Sequence, residues 1–285
     1  MFQFICPPMP HYINGGEDTY PIGGKHVDRS NIGVFDLIVV TRGCLFMEEA
    51  GAAIDIPADH YAILRPDQTH RTTKACTEET HFYWLHFQTV GEWSAAEERL
   101  PLTLSQQGQP YAPIDYFPFC LPKHGQLQSP HAINSKMREL LQLRGQPSAH
   151  SRWTEQQLFQ ALFLKLQEES GSAADSPQLQ IAEEAALFLR RHYRDPLSYK
   201  QMAEELHFHP NYIAICMKKT FGCTPLDYLT RHRIEQAKRL LIHTNDPIGK
   251  IAEETGFGSF PYFVRCFSKH TGTKPKAFRM QYRSK

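Results

Sequence analysis

Apolar positions recur at two different spacings along the chain, and the spacing changes near the middle. Between residues 34 and 87, short apolar runs, some alternating with polar residues, are separated by Gly, Pro and Asp. That pattern is typical of strands joined by turns. From residue 131 onward, apolar positions recur at i, i+3 and i+4, which is the spacing of one helix face. The chain is therefore predicted to be an α+β protein, β-rich at its N-terminal end and helical at its C-terminal end.

Five runs in the N-terminal part are predicted to be strands because they are rich in β-branched or aromatic residues. They cover residues 34–40, 45–47, 53–56, 61–64 and 80–87. Short strands without helices between them predict a sandwich or a small barrel. Residues 1–20 are rich in Pro and Gly and are predicted to form an arm. Between residues 88 and 128 we expect at most one more strand, at 116–121.

Two helices are predicted next, over residues 131–143 and 153–169, because each carries an apolar face. Residues 171–178 then have the composition of a flexible linker. Helical spacing resumes at Ile181 and continues to the end. A chain of 285 residues is thus predicted to contain two domains, 1–170 and 179–285, joined by the linker 171–178.

The most specific pattern lies between residues 247 and 275. A first short helix is predicted to end at Gly256, since glycine supplies a left-handed cap. Ser259 is predicted to cap a second helix, which carries Phe263 and Phe267 on one face. Two short helices joined by a tight turn predict a helix-turn-helix. An αα-hairpin inside an ordinary helical domain has a similar pattern and is the alternative.

The same unit occurs earlier in the chain. Residues 203–205 and 252–254 both read Ala-Glu-Glu, 49 positions apart. One residue is then added, and Tyr212, Cys216, Lys219, Gly222 and Pro225 match Tyr262, Cys266, Lys269, Gly272 and Pro275 at an offset of 50. Duplication indicates two equivalent DNA readers. A long predicted helix over 225–243 joins them, so that their second helices can meet successive major-groove turns, ~34 Å apart.

The charge is divided between the two parts. The net charge is +1, but residues 176–285 hold 18 Lys and Arg against 10 Asp and Glu, whereas residues 1–175 hold 13 against 20. Only the basic C-terminal part is therefore expected to meet phosphate. Seven cysteines without a Cys-x-x-Cys pair favour reduced thiols in the cytoplasm. We expect no membrane contact, because no apolar run approaches the ~20 residues of a membrane span, and the N-terminus does not read as a secretory signal.

From Ala252 the chain reads A-E-E-T-G-F-G-S-x-x-Y-F-x-R-x-F-x-K-x-x-G-x-x-P-x-x-F-R. This motif resembles the AraC/XylS-type bacterial transcription regulators, and the resemblance covers residues 181–283. Residues 65–70 and 84–87 are the places where the N-terminal part is similar to the cupin-like sensor domain of such regulators. The resemblance implies a homodimer that binds double-stranded promoter DNA, responds to a small effector such as a sugar, and acts on RNA polymerase. It also implies that the 131–169 helices pair two protomers; covering the barrel is the other reading of them.

Exposed positions of the two predicted second helices supply the candidates for DNA contact. Arg265 is the best of them, since arginine can donate two bonds to guanine, and Asn211 can pair with adenine. The full base-reading set is His209, Asn211, Ile215, Ser259, Phe260, Pro261 and Arg265. The predicted phosphate contacts are Lys200, Lys218, Lys219, Arg231, Arg233, Lys250, Lys269 and His270. Many family members carry Arg at the place of Ile215, so the upstream reader departs from the family pattern.

Nine histidines in the N-terminal part raise the possibility of a metal. The H-x-H followed by Glu of metal-binding cupins is absent, so neither a metal nor another cofactor is expected. Aromatic walls with a few polar groups predict a small-molecule pocket instead. By resemblance the candidate effector-binding residues are His26, Arg29, His70, Trp84 and His86; a histidine bonded to backbone in the core is the alternative for each.

The leading hypothesis is that the chain is a ligand-responsive, sequence-specific transcription regulator of carbohydrate-utilisation genes. On this hypothesis it is not an enzyme. The alternative is a metal-dependent cupin enzyme, an oxygenase or isomerase, fused to a DNA-binding domain. A third class, DNA-alkylation repair proteins with the same C-terminal readers, needs a reactive cysteine in a motif such as P-C-H-R. None of the seven cysteines lies in that motif.

Overall fold

The computed structural model describes residues 1–95, 116–146, 148–169 and 177–282. These residues form two compact units, one up to residue 169 and one from residue 177. The first unit combines sheets with two helices, and the second is helical, which confirms the predicted fold class. None of the helices in these ranges combines the length and the apolar character that crossing a bilayer requires.

The strands of the first unit are β1 (Phe2–Cys6), β2 (His11–Tyr20), β3 (Arg29–Ser30), β4 (Phe35–Arg42), β5 (Cys44–Glu49), β6 (Ala52–Pro57), β7 (His60–Leu64), β8 (Thr69–Lys74), β9 (Thr80–Gln88), β10 (Trp93–Ala95), β11 (Phe117–Leu121) and β12 (His124–Gln126). They form three sheets in the orders β10-β1-β11, β12-β7-β4-β9-β2 and β3-β8-β5-β6. The helices are α1 (Pro130–Gln142) and α2 (Ala149–Glu169), and in the second unit α3 (Pro177–Arg191), α4 (Tyr199–Leu206), α5 (Pro210–Phe221), α6 (Pro225–His243), α7 (Ile248–Glu254), α8 (Phe260–Thr271) and α9 (Pro275–Gln281).

Strands β4 and β9 lie side by side near the middle of the five-stranded sheet and are covered on both faces. On one face, Ile38 and Phe82 pack against apolar residues of the four-stranded sheet. On the other, Phe35 stacks on Phe87 with 4.8 Å between ring centroids, and both pack among residues of β1, α1 and α2. A strand covered on both faces needs apolar residues at successive positions. This explains why residues 34–40 form an apolar run rather than an alternating one.

The prediction of an N-terminal arm is wrong, because residues 1–20 contain β1 and β2. The side chains of Phe2 and Phe4 are fully buried in the core that also contains Phe35 and Phe87. The glycines of β2 reflect a close approach to β9: a Cβ atom on Gly16 would lie 2.7 Å from the indole of Trp84. Glycine within a strand often marks such an approach rather than a flexible segment.

The region after β9 contains more strands than expected. Of the described residues between 88 and 128, three stretches are extended, β10, β11 and β12, whereas we predicted only the segment that β11 occupies. Helices α1 and α2 follow close to the predicted bounds, although α2 begins four residues before the predicted start. Helix α3 begins at Pro177. The predicted linker therefore overlaps the helix by two residues, and its remainder lies outside the described residues.

Helix α6 connects two helix-turn-helix units over the predicted range. Its residue Leu229 belongs to a core formed with α3, α4 and α5. Its residues Ile234, Ala237 and Leu241 belong to a second core formed with α7, α8 and α9. The upstream unit, α4–α5, and the downstream unit, α7–α8, are thus built on opposite ends of one helix.

The turns of the two units differ at one matching position. Gly256 has φ +81° and donates its N–H to the carbonyl of Glu253, while Phe257 donates to Ala252. This pair of bonds is a Schellman cap, which favours glycine. The matching residue of the upstream turn is His207, with φ +58°. A residue with a Cβ atom pays about 1–2 kcal/mol in this left-handed region.

Replacing His207 by glycine is expected to raise the free energy of unfolding of the helical unit by about 0.5–1 kcal/mol. Glycine relieves the strain at positive φ, but part of that gain is lost because glycine has more conformational entropy in the unfolded chain. His207 is exposed, so little packing is lost. Urea unfolding followed by helical circular dichroism measures the change. His207→Ala keeps a Cβ atom at positive φ and serves as the control; an equal gain from alanine would contradict the explanation.

Candidate nucleic-acid interface and ligand site

Helices α5 and α8 are built in the same way. Each starts with a proline in its first turn and ends at a glycine in the left-handed region, Gly222 and Gly272. Each buries one face, with Ile213 and Met217 in α5 and Phe263 and Phe267 in α8. Their remaining faces are free to meet another molecule, as expected for the second helix of a helix-turn-helix.

The structure leaves all seven predicted base-reading residues exposed. Ile215 and Arg265 occupy the matching position of the two helices, so the pair presents one apolar and one charged side chain. Two side chains at the helix starts differ from the simple expectation. Ser259 occupies the N-cap of α8 but makes no capping bond with its side chain, whereas the ring of His209 accepts a bond from the N–H of Asn211 at 3.3 Å.

The side chain of Arg265 packs against Tyr262 of the same helix. Its guanidinium carbon lies 5.4 Å from the ring centroid of Tyr262, within the range of a cation–π contact. The pKa of Tyr262 is raised, and its interaction with Cys266, one helical turn further on, is the largest cause. A guanidinium with fewer accessible orientations loses less entropy when it binds.

Six of the predicted phosphate contacts are exposed cations, as a phosphate contact requires: Lys200, Lys218, Lys219, Arg231, Lys250 and Lys269. Lys250 is engaged within its own helix turn, because its ammonium lies 2.8 Å from Asp246 and 3.5 Å from Glu254. These carboxylates raise the pKa of Lys250, the bond to Asp246 being the largest cause. A phosphate would have to compete with them.

The structure corrects one of the predicted phosphate contacts, Arg233, and changes the expected charge of another, His270. Arg233 is only 8% exposed, and its guanidinium donates to the carbonyls of Tyr193 and Asp195, so it cannot reach phosphate. His270 remains on the surface, but partial burial, followed by Arg231 and Lys269, lowers its pKa. It is therefore neutral near pH 7 and would meet phosphate as a hydrogen-bond donor rather than as a cation.

In the first unit, the five predicted effector-binding residues come close together from two sheets. Arg29 lies on β3, His70 on β8 and Trp84 and His86 on β9, while His26 lies in the segment before β3. The rings of His26 and His70 are 5.9 Å apart, and those of Trp84 and His86 are 4.9 Å apart. Arg29 links the two pairs: it lies opposite His70 in the β3–β8 ladder, and its Nη1 lies 3.2 Å from Nε2 of His86. The grouping follows from β9 placing residues 84 and 86 on one face.

Asp36 lies among these side chains and was missed by sequence reasoning. It is 1% exposed, and its Oδ2 lies 3.6 Å from both Arg29 and His86. Those distances exceed a hydrogen bond. A carboxylate inside the apolar run 34–40 was the available signal, since aspartate is almost never fully buried without a partner.

Several polar atoms of this cluster have no hydrogen-bond partner among the described residues. They are both carboxylate oxygens of Asp36 and both ring nitrogens of His70. An unsatisfied buried polar group costs about 1–3 kcal/mol. Burial is also the main cause of the lowered pKa of His26 and of His70, so both rings are neutral near pH 7. The cluster therefore offers directed acceptors and neutral imidazoles beside the indole of Trp84.

The described residues contain no group of three or more His, Cys, Asp or Glu side chains arranged to hold a metal ion.

A family profile described as a helix-turn-helix domain matches residues 202–281. The HTH-type transcriptional regulator YisR of Bacillus subtilis (strain 168) is 33% identical over 277 residues, which covers 97% of this chain and 96% of YisR. The chain belongs to the AraC-type family of helix-turn-helix transcriptional regulators. This regulator is a DNA-binding protein, and its similarity to YisR extends over both of its units.

Two further relatives match less of this regulator. The arabinose operon regulatory protein of Escherichia coli (strain K12) is 28% identical over 123 residues, 43% of this chain and 42% of that protein. Among solved structures, the C-terminal domain of AraT, a response regulator from Geobacillus stearothermophilus, is 30% identical and covers 39% of this chain and 92% of that domain, with a TM-score of 0.36.

Arg265 and Lys269 are expected to contribute differently to DNA binding. Arg265→Ala is expected to cost about 1–3 kcal/mol on a preferred duplex and to relax the preference at one base pair. Lys269→Ala is expected to weaken binding to all sequences about equally and to reduce the slope of log K against log salt by about one unit. Salt titrations on preferred and scrambled duplexes measure both.

Both side chains are exposed, so unchanged thermal unfolding serves as the control. An equal loss on the two duplexes for Arg265→Ala would make Arg265 a phosphate contact. Base preference would then depend on Phe260, Asn211 and DNA shape.

Proposed function

We propose that this regulator senses a small polar molecule with its N-terminal sheet unit and adjusts promoter binding by its C-terminal unit accordingly. The observation that carries the proposal is the group of buried polar side chains around Asp36, whose carboxylate has no hydrogen-bond partner among the described residues. A ligand that donates hydrogen bonds would satisfy that carboxylate. His26, Arg29, His70, Trp84 and His86 are the other proposed contacts.

A neutral ligand with several hydroxyl groups, such as a sugar, fits the chemistry of these residues best. Hydroxyls can donate to Asp36 and accept from Arg29, while the indole of Trp84 offers an apolar surface to ring carbons. An anionic ligand would approach the Asp36 carboxylate at a cost. The name of the relative that regulates the arabinose operon agrees with this ligand class.

Residues 1–170 are proposed as the sensor domain, and the DNA-binding domain is proposed to begin with α3 at Pro177, two residues before the predicted boundary at 179. The part of the predicted linker 171–178 that precedes α3 is proposed to join them. A homodimer is proposed to form through α1 and α2, which cover the sheet with one face only. In α2, Trp153 and Leu164 lie three helical turns apart and are 71% and 54% exposed, so two large apolar side chains remain available to a second protomer. RNA polymerase is the proposed partner at the promoter, and the cytoplasm is the proposed location.

A fragment of residues 176–285 is expected to bind DNA by itself, because it carries both helix-turn-helix units and a charge of +8, from 18 basic and 10 acidic residues. The 1–170 fragment is expected to show no affinity for DNA. Gel-shift assays of the two fragments and the full chain measure this. Binding by the full chain without binding by 176–285 would contradict the proposed division.

Ligand sensing is tested by a thermal-shift screen of the 1–170 fragment against sugars and small organic acids. A ligand that binds only the folded state at 100 times its Kd raises stability by about 2.7 kcal/mol. Failure of every neutral polyol, together with a shift by an acid, would contradict the ligand class.

Trp84→Ala and His86→Ala are expected to abolish the thermal shift and the effector response while leaving basal DNA binding unchanged. His86 on β9 is paired with Asp36 on β4, Trp84 lies two residues before it on the same strand, and neither residue lies in the DNA-binding unit. His124→Ala on the exposed strand β12 is the matched control. Unchanged effector affinity in both β9 variants would place the ligand elsewhere.

A further inference from the structure

One buried arginine lies where the two helix-turn-helix units meet. Arg233 extends from the middle of α6 and is 8% exposed. Its Nε donates to the carbonyl of Tyr193 at 2.6 Å, and its Nη2 donates to the carbonyl of Asp195 at 2.6 Å. Both carbonyls belong to the loop between α3 and α4, which leads into the upstream unit.

The same guanidinium contacts the turn of the downstream unit. Its central carbon lies 5.9 Å from the ring centroid of Phe257. A Cβ atom on Gly256 would lie 2.5 Å from the carbonyl oxygen of Tyr193 and 2.9 Å from Nε of Arg233. The backbone of the upstream loop therefore rests directly on the downstream turn, and a glycine makes that approach possible.

Because Arg233 is buried, its hydrogen bonds to the upstream loop require one relative position of the loop and α6. Arginine stays protonated in proteins, so its charge has to be compensated wherever it lies. The two carbonyls supply that compensation only while α6, the loop 192–197 and the turn at Gly256 keep their relative positions. Breaking a buried charged interaction by removing one partner is strongly destabilising.

We propose that Arg233 is a positioning residue for DNA binding. By joining the upstream loop to the downstream turn, it fixes the relative orientation of α5 and α8, and so determines which spacing of the two DNA half-sites the protein accepts. Successive major-groove turns lie ~34 Å apart, so an inserted base pair both shifts and rotates the second half-site. A looser joint would tolerate such an insertion, whereas a lost base contact would not produce that tolerance.

The test uses the full chain and a duplex that the wild-type protein selects from a random library. Two further duplexes carry one or two base pairs inserted between the half-sites. For the wild-type protein, one inserted base pair is expected to reduce affinity about tenfold, which is the loss expected when one base contact is removed. Arg233→Met, which removes the donors and keeps much of the length, is expected to bind the parent duplex about tenfold more weakly, with an insertion penalty of only about twofold.

Arg231→Ala is the matched control, because Arg231 lies on the same helix but is exposed. It is expected to weaken binding to all three duplexes by one factor and to keep the insertion penalty. Arg233→Lys retains the charge with fewer fixed donors and is expected to give an intermediate penalty. Gly256→Ala disturbs the same contact from the other side and is expected to lower the penalty as Arg233→Met does.

An insertion penalty equal to that of the wild type in folded Arg233→Met would overturn the proposal. If circular dichroism shows that this variant does not fold, the comparison is made on Arg233→Lys and Gly256→Ala, where an unchanged penalty has the same meaning. Loss of folding in all three variants would also overturn it, since Arg233 would then maintain the fold rather than set the spacing.

Discussion

Neither helix-turn-helix of this regulator can bury its own apolar face, and this constraint determines the organisation of the C-terminal unit. Helix α6 resolves it by contributing Leu229 to the upstream core and Ile234, Ala237 and Leu241 to the downstream core. A repeated unit of this size gains stability from its neighbour rather than from its own interior. Because both cores share one helix, the two DNA-reading helices are coupled mechanically as well as through the chain.

A related constraint acts in the N-terminal unit. Strands β4 and β9 separate two cores, so most residues along them are buried. Polar side chains on these strands are therefore few and costly. Asp36 and His86 are among them, which is why the cluster they form with Arg29 is a stronger indication of a ligand than the same residue types on a surface.

Sequence reasoning recovered the helical unit well because its signals are local. Caps, turn glycines and the 3.6-residue spacing fix helix bounds within a few residues, and α6 was predicted over its full range. Ser198, a residue type typical of helix starts, caps α4 by accepting the N–H of Gln201 at 3.1 Å. The strands were recovered less completely. Strands β1, β10 and β12 are short or irregular in pattern, and their pairing depends on residues far away in the chain.

A site residue could be predicted where its exposure depends on nearby residues in the chain, and could not where distant residues cover it. Exposure of Arg265 follows from its position on α8, whereas burial of Arg233 does not follow from α6 alone. Its face of the helix is covered by the loop around Tyr193, 40 residues earlier in the chain. Likewise, no local pattern marks Asp36 as the neighbour of Arg29, because the contact joins different sheets.

The close approach of Gly16 to Trp84 has a consequence for how such a sensor can change during evolution. The indole occupies the space that a side chain at position 16 would need, so a larger residue there is compatible only with a smaller or displaced residue at position 84. In the proposed sensor, a change of ligand that replaces Trp84 or Gly16 therefore requires paired substitutions on β2 and β9. Among descendants of a common ancestor, these two positions should vary together rather than one at a time.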